Sequence, residues 1–195
     1  MLGLSGLLVL LPGPAGAGAP TDQLQAAAAR VVQILDDPAL QGEGRAPERQ
    51  AAVRAAVTDL FDFAEISRRA LARHWRPLSE AEREEFVRLF RALLDRTYLP
   101  QIKLYQGERV EFVGESVDGE FAAVQARVLT RRGQEASVIF RLHRPGERWL
   151  IYDVSVEGIS LVANYRAQFD QIIQRASYQR LVTRIKQKLA DGRSE

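Results

Sequence analysis

The chain has 195 residues, 46% of them hydrophobic, with 27 Lys and Arg against 25 Asp and Glu. That length suits one domain of ordinary size with a real core, and the composition excludes an intrinsically disordered chain. A net charge of +2 without a long basic run or an aromatic-basic motif gives no footing for nucleic acid. The absence of cysteine excludes disulfide frameworks, thiol catalysis and cysteine-based zinc or iron–sulfur sites.

Leu7 to Leu11 is a short apolar run followed by small residues, and Ala15-Gly16-Ala17 and Ala17-Gly18-Ala19 both resemble an A-x-A cleavage site. The run is far too short to span a bilayer. No Lys or Arg precedes it, so its positive flank is the free amino terminus or lies upstream. Residues 1–19 are expected to be a signal peptide, and residues 20–195 a single exported domain. Cleavage after Ala17 is favoured, because a cut after Ala19 would leave Pro20 at the new terminus. Nothing after Pro20 reads as a transmembrane helix.

Thr21 or Asp22 is expected to cap a first helix through Leu24, Ala28, Val31 and Leu35, which Asp36-Asp37-Pro38 ends. Pro47 suits the first turn of a second helix with Val53, Val57, Leu60 and Phe61 on one side. "DFAE" at 62–65 and "SEAE" at 79–82 read as capping boxes. The first opens a short helix through Ile66, Ala70 and Leu71. The second opens a long one striped by Phe86, Leu89, Phe90, Leu93, Leu94 and Thr97. The pattern then turns to alternation over Arg109–Val117, Glu120–Thr130, Ala136–Arg144 and Trp149–Val156. Asp118-Gly119, "RRGQ" and "RPGE" are the connecting turns. Strands joined this tightly form an antiparallel meander, since parallel pairing needs long crossovers. At Gly158 the period becomes helical again, over 159–176 and then Ser177 to Ala190. The expected fold class is α+β, a curved antiparallel four-stranded meander with helices packed on one face.

Catalytic chemistry finds little support. Ser160, His143 and Asp153 could be imagined as a triad, but "EGISL" lacks the second glycine of a nucleophile elbow. Alternation puts His143 on the polar face of its strand. The two histidines, His74 and His143, offer no H-x-x-x-H or His-carboxylate motif. Glu80, Glu82, Glu84 and Glu85 with Arg83 and Arg88 read as a solvated helix face. Apolar surface remains. Ala122, Val124, Ala126 and Val128 share a strand face, as do Ala136, Val138, Phe140 and Leu142, and the helices carry large residues opposite. Small against large makes either a filled core or a cavity, and periodicity alone does not separate them.

"FDFAEISRRALARHWRPLSEAEREEFVRLFRALLDRTY" from Phe61 and "YDVSVEGISLVANYRAQFDQII" from Tyr152 together resemble the MlaC, or toluene-tolerance, family of periplasmic phospholipid-binding proteins. The likeness runs from about Val53 to about Leu189. One departure is local: the family often has Leu-Gly before the "HW", and this chain has "LARHW". The resemblance implies a deep apolar cavity that takes the tails of a diacyl phospholipid and leaves the head group outside. It also implies a periplasmic shuttle between an outer-membrane lipoprotein complex and an inner-membrane ABC transporter, with no catalysis, cofactor or metal. A hopanoid or other amphiphile is the alternative cargo. The lining expected on this basis is Phe90, Leu94 and Tyr98 from the long helix, with Ile102 just beyond its end. The strands add Val124, Ala126, Val128, Phe140, Leu142, Tyr152 and Val154, and the next helix adds Val162, Tyr165 and Phe169. Arg91, Arg96, Lys103 and Arg166 are the head-group candidates. An exported enzyme using His143 or Asp153, and an adaptor with a filled core, are the competing readings.

Overall fold

The computed structural model describes residues 19–100, 108–129 and 133–191. The expected signal peptide lies outside them except for Ala19. Six α-helices are described: α1 (Ala19–Asp36), α2 (Ala46–Thr58), α3 (Phe63–Leu71), α4 (Glu80–Tyr98), α5 (Leu161–Arg175) and α6 (Tyr178–Asp191). Between α4 and α5 run β1 (Arg109–Asp118), β2 (Phe121–Leu129), β3 (Glu135–His143), β4 (Leu150–Val156) and β5 (Ile159–Ser160). The strands pair antiparallel in sequence order. The α+β meander is therefore as the alternation predicts, with a fifth strand of two residues added. That strand exists because Glu157 (φ 49°) and Gly158 (φ 77°) form a two-residue turn with positive φ at both positions. Glu157 tolerates this because it is tied twice to Ser137, its amide donating to the Ser137 carbonyl and its carboxylate accepting from the Ser137 amide.

Local chemistry sets the helix ends. Ser79 and Glu82 form the full reciprocal capping box of α4. The box of α3 is half made: Asp62 Oδ1 accepts from the Glu65 amide at 2.9 Å, but the Glu65 carboxylate turns to Arg68 and Arg69. The Asp62 amide donates instead to Ile151 O, joining the α2–α3 link to the edge of β4. Thr21 does not cap α1, which already includes Ala19. Its hydroxyl and amide both donate to Glu115 Oε2, at 2.6 and 2.9 Å, and so fasten the start of α1 to β1. Gln23 makes a second fastening, its Nε2 donating to Trp149 O and its Oε1 accepting from the Trp149 amide.

Apolar burial divides in two. One core is built by helices, with Leu78 added from the α3–α4 link: Phe86, Phe90, Leu93 and Leu94 of α4 interlock with Ile66, Ala70 and Leu71 of α3, Val162, Tyr165 and Phe169 of α5, and Leu181 and Ile185 of α6. Its centre is aromatic, with Phe90 edge-on to Tyr165 and Phe169 at centroid distances of 4.9 and 5.1 Å. The other core lies on the concave side of the sheet, where Leu24 and Leu60 meet Ala122, Val124, Leu142, Trp149 and Ile151.

Candidate functional site: an apolar cavity under the first helix

Between α1 and the sheet lies a cavity of about 500 Å³. From α1 it is walled by Leu24, Ala27, Ala28, Val31, Val32 and Leu35. Val57, Leu60 and Phe61 close one side, and Tyr98 from the end of α4 borders another. The sheet supplies Val110, Phe112, Val128, Phe140 and Ile151, with Glu108 just before β1. These strand residues share a face because register pairs Val110 with Val128 and Phe112 with Ala126. A bulge at Val113 then shifts the alternation of β1, so that Glu115 lies across from Val124 and can reach Thr21. Leu24, Leu60 and Ile151 are buried and make the deep end, whereas Tyr98 is 46% and Val110 40% exposed and mark the open side.

The shape follows from side-chain size. α1 presents alanine and valine where it crosses the sheet, and these are too short to fill the gap to Val128 and Phe140. If a methylene occupies about the ~30 Å³ share of a liquid water, the space holds about 17 methylenes, one long acyl chain. Burying them is worth about 13 kcal/mol at ~0.8 kcal/mol each. Glu108 is the one charged residue among the described residues of the lining. The arrangement can sequester hydrocarbon, and its described wall offers no polar cluster at depth to hold anything else.

The structure distributes the expected lining residues unevenly. Tyr98, Val128 and Phe140 lie in the cavity wall. Val124, Ala126 and Leu142 share the concave side of the sheet but are buried in packed surroundings, with Val154 half-buried beside them. Phe90, Leu94, Val162, Tyr165 and Phe169 belong to the helical core. Tyr152 is on the opposite side of the sheet, its ring under the Arg69 guanidinium at 3.9 Å and edge-on to Phe121 and His143. Ile102 and Lys103 lie outside the described residues. Of the cations, Arg91 donates to Thr58 Oγ1 and stacks on Phe63, Arg96 donates to Leu189 O, and Arg166 donates to Arg69 O. The α1 wall was absent from the expectation; its signal is the run of small residues at 26–29 inside an otherwise amphipathic helix. Burial and the Tyr165 hydroxyl hold the Tyr98 phenol above its ordinary pKa, so it stays a neutral hydrogen-bonding group at the cavity's edge.

The imagined triad is taken apart by its own hydrogen bonds. Ser160 Oγ donates to Asp153 Oδ2 at 2.7 Å and accepts from the Ala163 amide, and Asp153 Oδ1 accepts from the Val162 amide. Both side chains are therefore engaged in turning β4 into α5. His143 is not on a solvated face, as alternation suggests; its side chain is 15% exposed and bonds Asp62 Oδ2 at 3.0 Å. Among the described residues no group of three or more His, Asp or Glu is placed to hold a metal.

This architecture has known counterparts. The structure superimposes with a TM-score of 0.78 on a phospholipid-binding protein from Ralstonia solanacearum, solved in complex with a phospholipid. That likeness takes in 89% of this chain and 98% of the other, at 22% identity. The intermembrane phospholipid transport system binding protein MlaC of Haemophilus influenzae is 19% identical over 124 residues. Those residues are 61% of this chain and 58% of the Haemophilus protein's length, so the chain spans less than two thirds of that relative. The family model for the MlaC protein matches residues 25–187, which run from within α1 through the whole meander and α5 into α6. The chain belongs to the MlaC family.

Proposed function

We propose that this protein is a periplasmic carrier that binds a phospholipid by its acyl tails and moves it between membranes, without chemical change to the lipid. The observation that carries the reading is the apolar cavity of about 500 Å³, with Glu108 as the single charge among the described residues of its wall. Membership of a family whose Haemophilus member is named for intermembrane phospholipid transport supports it. The tails enter toward Leu24 and Ile151, and the head group stays at the exposed Tyr98–Val110 side. The enclosed space accepts one long chain, so a diacyl ligand places its second chain only when α1 and the sheet move apart. Release of about 17 methylenes into water is too costly for spontaneous unloading. Delivery therefore needs partners that offer an apolar path: an outer-membrane lipoprotein complex at one end, an inner-membrane ABC transporter at the other. The same economy of chemistry leaves no role for a catalytic residue or cofactor. Organic extraction of the purified exported protein, followed by mass spectrometry, tests the proposal. Phospholipid in near-equimolar amount is expected; a protein free of any lipid would sink it, and a hopanoid would redirect it to another amphiphile.

A further inference from the structure

The last helix carries a feature that lipid binding does not use. Between Tyr178 and Asp191, α6 has Arg180, Arg184, Lys186 and Lys188 against a single acid, Asp191. Lys186 is paired with Glu85 at 2.7 Å. Arg180, Arg184 and Lys188 are exposed, and among the described residues none has an ion-pair or side-chain hydrogen-bond partner. Their i, i+4, i+8 spacing places them in one row about 12 Å long that flanks the buried Leu181 and Ile185 stripe of α6 on its exposed side. The acids on α4 do not reach this row: Glu85 is engaged by Lys186, Glu84 by Arg88 and Glu82 by Ser79. The overall charge is only +2, so the row arises from segregation along one helix. It also has a direction. Arg96 of α4 donates to Leu189 O near the end of α6, and Tyr98, two residues beyond, lines the open side of the cavity. The row of free cations therefore leads along the surface toward the cavity mouth.

We infer that the Arg180–Arg184–Lys188 row is a docking surface for an anionic phospholipid bilayer, which it meets with the cavity mouth turned toward the lipid. The inference rests on the carrier reading for its purpose, and on α6 alone for its chemistry. Three exposed cations in a line match the phosphate plane of a membrane, where each Lys or Arg near the surface adds about 1 kcal/mol. An acidic protein partner is the competing occupant. Binding of the lipid-loaded full chain to phosphatidylcholine vesicles with and without phosphatidylglycerol tests the choice, at low and at high salt. Expected are preference for the phosphatidylglycerol vesicles, loss of that preference at high salt, and weakening of about a hundredfold in the triple variant Arg180→Gln/Arg184→Gln/Lys188→Gln. Lys186→Gln, on the same helix but paired, should bind as the parent does. The thermal midpoint and the extracted lipid of the triple variant should be unchanged, which keeps lost binding separate from lost folding. Equal binding to both vesicles, an unaffected triple variant, or a parent that ignores vesicles yet binds an acidic protein partner through this row would each overturn it. A parent that docks on anionic vesicles but yields no lipid on extraction would keep the surface and remove the carrier function.

Discussion

Val124 and Val128 point from β2 toward the same side of the sheet, yet Val124 is fully buried among packed residues and Val128 borders open space. Putting tryptophan at each position in turn should separate packing from cargo. At Val124 the larger ring has nowhere to go, and overpacking should cost about 1–3 kcal/mol or more. At Val128 it enters the cavity and takes the place of about seven carbon-sized atoms of hydrocarbon. At ~0.8 kcal/mol per methylene that removes about 5 kcal/mol of tail burial, a fall in lipid affinity on the order of a thousandfold or more. The empty Val128→Trp protein should unfold within about 0.5 kcal/mol of the empty parent, as expected of a change that meets no packed neighbour. Urea unfolding of delipidated proteins and lipid extraction from freshly isolated ones read the two quantities independently, because bound ligand raises apparent stability by itself. A Val128→Trp protein that keeps its full lipid, or that unfolds as easily as Val124→Trp, would refute the assignment of the cavity to this part of the sheet.

Ala72 has φ 48° and ψ −118°, a conformation that suits glycine. Ala72→Gly should raise stability by about 1 kcal/mol in urea melts, and a destabilised variant would count against strain there. Asp153 is buried and accepts from Arg141, Ser160 and the Val162 amide; Asp153→Ala should cost about 2–3 kcal/mol and loosen the β4–α5 corner, seen as faster amide exchange at Val162. The Arg68 guanidinium, with Arg69 beside it, holds the Glu65 carboxyl below its ordinary value of 4.5 despite burial. A depressed carboxylate pKa stabilises the fold fully above the unfolded value and loses that contribution as the pH falls below it. The thermal midpoint should thus decline below about pH 4.5, and Glu65→Gln should flatten that decline; an unaltered acid limb would show that the trio contributes nothing. Titration of the delipidated protein should give faster uptake of a single-chain lysophospholipid than of a diacyl lipid, since only the second requires α1 to move; equal rates would argue against a one-chain resting cavity.

The elements were readable because each has a local cause. The capping serine of α4, the switch from alternation to helical spacing at Gly158 and the tight turns all act within a few residues, so the meander and its flanking helices follow from sequence. The cavity wall does not, because it depends on which apolar surfaces meet. Phe90, Tyr165 and Phe169 are large, periodic and aromatic, and they satisfy one another in the helical core. The wall is instead made of residues that fail to fill space, Ala27, Ala28 and Val31, and a deficit of volume leaves no mark in periodicity. Thr21 illustrates the same limit. A threonine near a helix start reads as a cap, and only the bulge at Val113, which turns Glu115 toward α1, makes it a fastening to the sheet.

The separation of the two buried clusters bears on what happens after delivery. Among the described residues, no buried member of the helical core lines the cavity; the two meet only at their margin, through Phe61, which packs against that core, and Tyr98, whose phenol bonds Tyr165. A shuttle makes half of every round trip with nothing aboard. Had the tails completed the main core, each unloading would leave a molten vehicle, exposed to proteases until its next cargo. In the carrier proposed here the return leg would be made by a body whose aromatic keel never depended on the passenger. Amide protection in α4, α5 and α6 should therefore be the same in loaded and vacant protein, while α1 and β1 should register every arrival and departure.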